Sequence, residues 1–339
     1  MRIICLSPRM ENYSFAFYQQ DTLAELARQH EVFFYGPGFA AYDRNDGWDE
    51  LFAKCSIREP ELVLFAHGWL RDRPGEPIDR HPKLRPSESG LPVVLILNKE
   101  YANLEEKLRY IRTNQINLVL THHHGAEEYQ QETGCRCNFW PFAVDMRKFP
   151  DQPAVRRYDM TFTGTLQNKV WPGSQSDIRL RIQRRLFHCV LDTPVLLRRR
   201  FRKWNVFWSS QSRYSWVNRI KGGCWLGANS YLRLLTESRA VINCLSPVQL
   251  VGTRYFESMA ARALVLCEES ERYDGLFSRA EHCVTFKTDL SDFAEIVEFY
   301  LSNESAAGAI TQRAYEHVRT FHTWERRIRE LTTLVAHLG

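Results

Sequence analysis

Short apolar runs alternate with amphipathic segments through the first half of the chain. The runs lie at residues 2–7, 31–36, 61–68, 92–99 and 116–123. Segments with helical periodicity separate them, such as NLEEKLRYIRTN at 103–114. Strands that are apolar on both faces and separated by helices are typical of a parallel sheet with helices on both sides. The pattern therefore predicts a βαβ domain over residues 1–150.

The same alternation starts again after a proline-containing connector at about 146–156, which predicts a second α/β domain over residues 151–339. Its apolar runs lie at residues 158–165, 239–245, 263–267 and 283–287, and we expect a long basic helical stretch between the first two. The chain ends in helical segments with one apolar face. The predicted fold class is α/β, with two Rossmann-like domains facing a cleft.

The composition limits the classes of protein to which the chain can belong. The chain has 339 residues, 44% of them hydrophobic and 25% charged, as expected for an ordinary globular protein. No window approaches 18 uninterrupted apolar residues, so we expect a cytoplasmic protein. The nine cysteines are scattered, which is typical of reduced thiols, and we expect Cys135 and Cys137 to be surface-loop thiols and not a metal site.

The net charge of +5 comes from one segment, since residues 193–236 contain nine Lys and Arg residues and no Asp or Glu. Within it, residues 196–227 interleave cations with aromatic side chains. Core aromatics with a solvated basic face are the favoured interpretation. Peripheral contact with an anionic membrane or a lipid-linked acceptor comes second, and nucleic-acid binding comes last.

A glycine followed by a helix start lies at residues 252–257. Backbone N–H groups and the positive end of a helix dipole bind phosphate, so Gly252, Thr253 and Arg254 are candidate phosphate ligands. Glu257 lies one turn further on, where its carboxylate can accept two hydrogen bonds from a ribose diol. The alternative is that Glu257 only complements the dipole of a surface helix.

Three segments together carry a family resemblance: DMTFTG at 159–164, TRYFES at 253–258 and HTW at 322–324. The chain resembles the GT-B glycosyltransferases, and among them the CgeB-like group with the "glycosyl transferases group 1" C-terminal domain. The resemblance is specific over residues 230–335 and diffuse over the first 150. It implies an N-terminal acceptor domain, a C-terminal nucleotide-sugar domain and a final helix that crosses back to the first domain.

The resemblance also implies roles for individual residues. The donor nucleotide is expected at Gly164, Thr165, Lys169, Gly252, Thr253, Arg254 and Glu257, and the donor sugar at Gln249. Related families have an acidic residue at the position of Gln249, a Gly at that of Arg262, and an Arg and Lys clamp after Gly164. An amide hydrogen-bonds a hydroxyl but brings no charge to an oxocarbenium-like transition state.

In the first domain, polar residues beyond the carboxyl ends of the strands are expected to face the cleft. His67 and Glu100 are the candidates for the base that takes a proton from the acceptor. Adjacent residues of a strand point in opposite directions, so His122, His123 and His124 are not expected to share a metal ion.

The predicted function is transfer of a sugar from a nucleotide-diphosphate sugar to a hydroxyl of a glycan or other acceptor, with no metal or cofactor and with retention of configuration. A non-catalytic nucleotide-sugar or glycan-binding protein of the same fold is the first alternative. A peripheral protein on the inner surface of the membrane, binding through residues 196–227, is the second.

Overall fold

The computed structural model describes residues 1–9, 17–72, 75–165, 178–187, 195–201, 203–211, 226–246 and 248–338, with the backbone alone at 165, 187, 195–201 and 208–211. These residues form two units. Unit 1 comprises Met1–Pro141 and Trp324–Gly339, and unit 2 comprises Phe142–Thr323. The predicted boundary at residue 150 lies inside unit 2, where Val144 already bridges Thr323 and donates its N–H to the carbonyl of His322 at 3.0 Å.

Unit 1 contains a six-stranded parallel sheet. Its strands are β1 (Arg2–Leu6), β2 (Glu31–Tyr35), β3 (Leu62–Phe65), β4 (Val93–Leu97), β5 (Leu118–Thr121) and β6 (Arg136–Phe139). The spatial order is β2-β1-β3-β4-β5-β6. Strands β1 and β3–β5 are buried almost throughout because both faces of the sheet are covered, as their uninterrupted apolar runs predicted.

Helices cover this sheet. They are α1 (Phe17–Gln29), α2 (Trp48–Lys54), α3 (Leu104–Thr113), α4 (Ala126–Thr133) and the last helix of the chain, α10 (Trp324–Ala336). The Nε1–H group of Trp140 donates to the carbonyl of Arg327 in α10 at 3.2 Å. The buried guanidinium of Arg327 donates in turn to the carbonyl of Pro141 at 2.8 Å. The final helix therefore packs on the first domain, and the prediction that it crosses back is confirmed.

Of the two cysteines predicted to be surface-loop thiols, Cys137 differs from the prediction. Cys135 lies just before the strand and Cys137 inside it, where the latter is 8% exposed. The alternation of polar and apolar residues in RCNF is typical of an edge strand. Because the run is only four residues long, the strand was not predicted from the sequence. Burial raises the pKa of Cys137 to about 11.

Unit 2 contains a second six-stranded sheet. Its strands are β7 (Tyr158–Thr165), β8 (Val195–Phe201), β9 (Trp204–Gln211), β10 (Ser238–Asn243), β11 (Leu264–Glu268) and β12 (Val284–Phe286). The spatial order is β12-β11-β10-β7-β9-β8, and only the β8–β9 pair is antiparallel. Numbered in chain order from β7 and read from the β8 edge, this order is 2-3-1-4-5-6, which differs from the Rossmann order 3-2-1-4-5-6 in the exchange of the two strands at that edge.

The helices of unit 2 are α5 (Ile178–Phe187), α6 (Ala228–Thr236), α7 (Thr253–Ala260), α8 (Phe293–Ser302) and α9 (Glu304–Phe321). Between α5 and α6 the expectation of a long basic helix is wrong, because β8 and β9 form an antiparallel pair there. The run VLLRRRF contains three arginines, which suggested an exposed helical face. In a strand at the edge of a sheet, the same cations are compatible with burial of the neighbouring strand.

Among the described residues, no helix has both the length and the apolar character needed to cross a membrane.

Candidate functional site

The topological switch point of unit 2 lies between β7 and β10. These parallel strands are neighbours, with Ala240 paired to Met160. The chain leaves β7 towards the β9 side of the sheet and leaves β10 towards β11. Ligands of open α/β sheets bind at the carboxyl ends of the strands where the connections diverge in this way. The segments that follow these two strands are therefore the candidate site.

A tight turn follows β10. Ser246 and Leu250 pair through a backbone hydrogen bond of 3.1 Å, the N–H of Gln249 donates to the carbonyl of Ser246 at 2.9 Å, and Ser246 Oγ accepts from the N–H of Leu250 at 3.0 Å. Gln249 itself has a left-handed backbone, with φ of 59°. These three hydrogen bonds join Gln249 and Leu250 to Ser246 and so hold the backbone of Gln249 in place.

Helix α7 begins directly after this turn. Gly252 precedes it in an extended conformation and has no side chain that could cap the first turn. The first turn, from Thr253 onwards, contains no acidic residue. Its N–H groups and the positive end of the helix dipole therefore favour a negatively charged group at this point.

Arg254 lies against the backbone of β7. A Cβ atom added to Gly164 would come within 3.0 Å of the Nη1 atom of Arg254 and 3.2 Å of its Nη2 atom. The φ of Gly164 is +152°, a value that side-chain-bearing residues rarely adopt. Glycine is thus required at 164 both for its backbone conformation and for the close approach of the guanidinium. The predicted neighbours Gly164 and Arg254 are brought together.

Glu257 is 9% exposed and therefore does not lie on a surface helix. Its Oε2 atom accepts a hydrogen bond of 2.5 Å from the hydroxyl of Tyr231 in α6. Burial, followed by the nearby carboxylate of Glu257, raises the pKa of Tyr231 well above its usual value, so the hydroxyl remains a donor. No local sequence pattern points to Tyr231, which lies 26 residues before its partner, in an ordinary amphipathic helix.

Two of the residues predicted to bind the donor nucleotide lie at or beyond the limit of the described residues. Thr165 is the last residue of β7 and pairs with Gln211, with its backbone alone described. Lys169 lies outside the described residues, as does the whole connection from β7 to α5, residues 166–177.

In unit 1, His67 and His122 form a stacked pair beyond the carboxyl ends of β3 and β5. Their rings are 5.0 Å apart and nearly parallel, and their Nε2 atoms lie 2.7 Å apart. The Nδ1 atom of His122 lies 2.7 Å from the carbonyl of Trp140, to which it donates. His122 Nε2 is then an acceptor, His67 Nε2 is the donor to it, and the lone pair of His67 is at Nδ1.

This pair is buried, with His67 1% and His122 2% exposed. Burial lowers the pKa of His122 to about 3 and lowers that of His67 well below its ordinary value. Both imidazoles are therefore neutral at pH 7, and His67 Nδ1 is available only as a weak base.

Glu100 lies beyond the carboxyl end of β4, between the strands that carry the two histidines. It is 4% exposed, and its Oε1 atom accepts from the hydroxyl of Thr121 at 2.7 Å. Burial raises its pKa. The ring of Tyr18 in α1 contacts the rings of His67 and His122 edge-on. The side-chain amide of Asn98 donates a hydrogen bond of 2.9 Å to the hydroxyl of Tyr18. Thus His67 and Glu100 lie at the same edge of the unit 1 sheet.

The three consecutive histidines of unit 1 have different partners. His122 contacts His67, His123 accepts from the N–H of Gly125 at 3.1 Å, and His124 stacks on Phe139 at 4.4 Å. Their imidazoles contact different groups, as expected for adjacent residues at a strand end. Among the described residues, no group of three His, Cys, Asp or Glu side chains is arranged to hold a metal ion.

The basic aromatic segment is described only in part. Trp204, Val206 and Phe207 of β9 are buried, and the indole N–H of Trp204 donates to Glu298 at 3.1 Å. Trp204 and Phe207 therefore belong to the core, in agreement with the favoured interpretation. Residues 212–225, which include Trp216 and Trp225, lie outside the described part of the chain.

The chain resembles known proteins both in its sequence and in its structure. Residues 181–333 match the model of a family described as glycosyl transferase-like. The structure resembles sucrose-phosphate synthase from Thermosynechococcus elongatus, with 10% identity, a TM-score of 0.62, and coverage of 99% of this chain and 98% of that chain. It also resembles HepE of Anabaena in complex with UDP and glucose, with 10% identity, a TM-score of 0.60, and coverage of 99% and 100%.

A third similar structure is an α-glucosyltransferase in complex with UDP and a 13-mer DNA containing a HMU base. Its identity is 11% and its TM-score 0.54, and the match covers 99% of each chain. No curated protein sequence matches the chain. At these identities the structural matches establish the fold, which is the two-domain GT-B fold.

Proposed function

We propose that this chain, a glycosyltransferase of the GT-B fold whose residues 181–333 form a glycosyl transferase-like domain, uses a nucleoside-diphosphate sugar bound at the switch point of unit 2. Glu257 holds the ribose, and Gly252, Thr253 and Arg254 hold the diphosphate. Gln249 contacts the donor sugar. The acceptor is a hydroxyl group of a glycan or a lipid-linked saccharide.

The hydrogen bond from Tyr231 to Glu257 carries this proposal. A carboxylate that is 9% exposed needs partners, and the tyrosine hydroxyl supplies one of them. It also fixes the direction of the carboxylate on the helix whose first turn favours a phosphate. A ribose diol offers two further donors, and one turn of helix separates the diol and the diphosphate of a nucleotide by a suitable distance.

The chemistry assigned to the site is stabilisation of the leaving group. Transfer breaks the bond from the anomeric carbon to the diphosphate oxygen and forms one to the acceptor oxygen. The negative charge that develops on the diphosphate meets the first-turn N–H groups of α7 and the guanidinium of Arg254. In the proposal these groups replace a metal ion, and the amide of Gln249 contributes a hydrogen bond without charge to a reaction that retains configuration.

Unit 1 supplies the acceptor side in this proposal. The proton of the acceptor hydroxyl passes to His67 Nδ1 or to Glu100, both of which lie at the carboxyl edge of the unit 1 sheet. Burial lowers the pKa of His67 and so weakens it as a base, whereas burial raises the pKa of Glu100 and so strengthens its carboxylate as a base. Replacement of each residue in turn, followed by measurement of kcat, identifies the base.

A cytoplasmic location, in peripheral contact with the inner membrane surface, is part of the proposal. The seven described cysteines have free thiols, which agrees with a reducing compartment. The cations of residues 193–236 suit an anionic surface. Co-sedimentation with anionic and with neutral vesicles tests the contact, and equal binding to both would contradict it.

The donor site is tested by thermal unfolding and calorimetry with UDP, GDP, ADP, dTDP and CMP. UDP comes first because two of the similar structures contain it. A ligand at 100 times its dissociation constant stabilises the folded state by about 2.7 kcal/mol. We expect one diphosphate to stabilise the native chain and Glu269→Ala, but not Glu257→Ala.

Turnover of the matching nucleotide sugar, with and without acceptor, is measured on the same variants. No stabilisation by any of the five nucleotides would contradict the donor site. Nucleotide-sugar binding without transfer or hydrolysis would instead support a non-catalytic role.

A further inference from the structure

A half-buried arginine and a buried glutamate, Arg179 and Glu268, hold Leu245, which lies directly before the turn that carries Gln249. Leu245 follows β10, and its N–H donates to Oε1 of Glu268 at 2.9 Å. Its carbonyl accepts from Nη2 of Arg179 at 3.0 Å, and the same nitrogen donates to the carbonyl of Cys244 at 2.9 Å. Leu245 is thus fixed at both its N–H and its carbonyl.

The two side chains come from distant parts of the sequence of unit 2. Arg179 belongs to the first turn of α5, and Glu268 is the last residue of β11, next to β10 in the sheet. Glu268 is 6% exposed. Its Oε2 atom has no hydrogen-bond partner among the described residues. Burying a carboxyl group in this way costs free energy, so an advantage elsewhere in the molecule is expected.

That advantage lies in the geometry of the turn. Because hydrogen bonds join Gln249 and Leu250 to Ser246, which follows Leu245 directly, the orientation of Leu245 sets the position of the Gln249 backbone. A second link runs from β11 to helix α7, since the hydroxyl of Tyr273 donates to the carbonyl of Glu268 at 2.9 Å and contacts the hydroxyl of Tyr255 at 3.2 Å. The start of α7 is therefore attached to β11 independently of Leu245.

We infer that Arg179 and Glu268 are positioning residues that set the place of Gln249 relative to the diphosphate site, and so govern recognition of the donor sugar but not of the nucleotide. The inference rests on the proposed function, because it needs a nucleotide sugar at the switch point. Neither residue touches the donor; both act through the backbone of Leu245. The substrate group that they affect is the hexose or related sugar beyond the diphosphate.

The test compares two dissociation constants for each variant, one for the nucleoside diphosphate and one for the matching nucleotide sugar, both by calorimetry. Their ratio reports the contribution of the sugar. We expect Glu268→Leu, which removes the acceptor for the N–H of Leu245, to reduce the sugar contribution by about tenfold, the value of one hydrogen bond of about 1.4 kcal/mol. Affinity for the diphosphate stays within about twofold, since α7 keeps its link through Tyr255.

Two further variants separate positioning from general packing. Glu268→Gln keeps an oxygen that accepts from Leu245, and because burial raises the pKa of Glu268, a neutral amide is a close replacement. It should restore the native ratio. Glu269→Leu changes the exposed neighbour and should have no effect on either constant.

Hydrogen exchange at the backbone amides of Leu245, Ser246, Val248, Gln249 and Leu250 provides a readout without ligand. Exchange should increase in Glu268→Leu and remain native in Glu268→Gln. If Glu268→Leu does not fold, Ser246→Ala takes its place, because it removes the acceptor of the N–H of Leu250 at a half-buried position and loosens the same turn.

Each outcome bears on the inference. An unchanged ratio in a folded Glu268→Leu or in Ser246→Ala overturns it. An equal loss for diphosphate and nucleotide sugar overturns it too, and indicates a purely structural role. If the native chain binds no diphosphate at all, the proposed function fails and the inference fails with it, whereas native diphosphate binding with an unchanged ratio refutes the inference alone.

Discussion

The hydroxyl of Tyr231 lies 2.5 Å from Oε2 of Glu257, across the interface between helices α6 and α7. The contact joins a residue that the sequence singled out to one that it did not. It orients a carboxylate that is almost inaccessible from outside, and it does so beside the first turn of a helix that favours an anion. The direction of the Glu257 carboxylate therefore depends on both helices, α6 and α7.

Tyr231→Phe should weaken diphosphate binding without unfolding unit 2. The substitution removes one donor from a buried carboxylate and leaves the ring, at a cost of about 1–3 kcal/mol if no water replaces the hydroxyl. We expect the dissociation constant of the preferred diphosphate, measured by calorimetry, to rise by about tenfold. Tyr300→Phe in α8, which packs against the core outside the site, is the control. Equal affinity for the native chain and Tyr231→Phe would show that Glu257 does not need this partner.

Helix α7 and its glycine could be predicted from sequence because their signals are local. Gly252 precedes a helical segment, and Glu257 lies within one turn of it. Tyr231 could not be predicted, since its partner lies in another helix and only the folded unit brings them together. The same holds for Arg179 and Glu268, whose contacts with Leu245 bridge long stretches of the chain.

Some strands could likewise be predicted from the sequence, and others could not. Uninterrupted apolar runs predicted β1, β3, β4 and β5, because both faces of the sheet are buried. The strands β8 and β9 escaped prediction because the charges of Arg198–Arg200 obscure the apolar alternation, and their pairing depends on each other and on β7. The parallel order around β7 is likewise set by tertiary packing and by no local pattern.

Gly164→Ala should lower both stability and diphosphate affinity. An alanine at φ of +152° is strained by about 1–3 kcal/mol, and its Cβ would displace the guanidinium of Arg254. Gly308→Ala is the matched control, because that glycine lies within helix α9 and a Cβ there meets nothing within 4 Å. The control should instead stabilise the protein by about 0.5–1 kcal/mol.

Urea unfolding gives the free energies of unfolding, and calorimetry gives the affinity. A native affinity in Gly164→Ala, together with lowered stability, would separate the backbone role of Gly164 from any role of Arg254 in binding.

The stacked histidines predict a loss of stability in acid. The folded-state pKa values of His67 and His122 lie below the unfolded value of 6.5, so the unfolded chain binds more protons once the pH falls below about 6.5. Their contribution is therefore present above pH 6.5 and is lost as the pH falls towards the folded values. Each histidine reduces the free energy of unfolding by up to about 1.4 kcal/mol per pH unit.

Urea unfolding at pH 7.0, 6.0 and 5.0 measures this slope for the native chain and for His122→Gln. The variant should show a shallower slope, while His337→Gln, at an exposed position near the end of the chain, should keep the native one. An identical slope in His122→Gln would mean that other groups cause the acid sensitivity.

Arg262 has a left-handed backbone, with φ of 54°, directly after helix α7. The resembling families have a glycine here, and the structure shows why an arginine is accepted. Its guanidinium lies 3.5 Å from the ring centroid of Tyr315 and donates to Gln312 at 2.6 Å, both in α9. These contacts offset the strain of the backbone.

Two substitutions at Arg262 separate the strain from the contacts. Arg262→Gly loses the side-chain contacts but relieves the left-handed strain, whereas Arg262→Ala loses the same contacts and keeps the strain. The alanine variant should therefore be less stable than the glycine variant by about 1 kcal/mol in urea unfolding. The bond from Arg156 to the carbonyl of residue 262 involves the backbone and is common to both variants. Equal stability of the two would show that the left-handed conformation at 262 costs nothing, and that the side-chain contacts alone explain the choice of arginine.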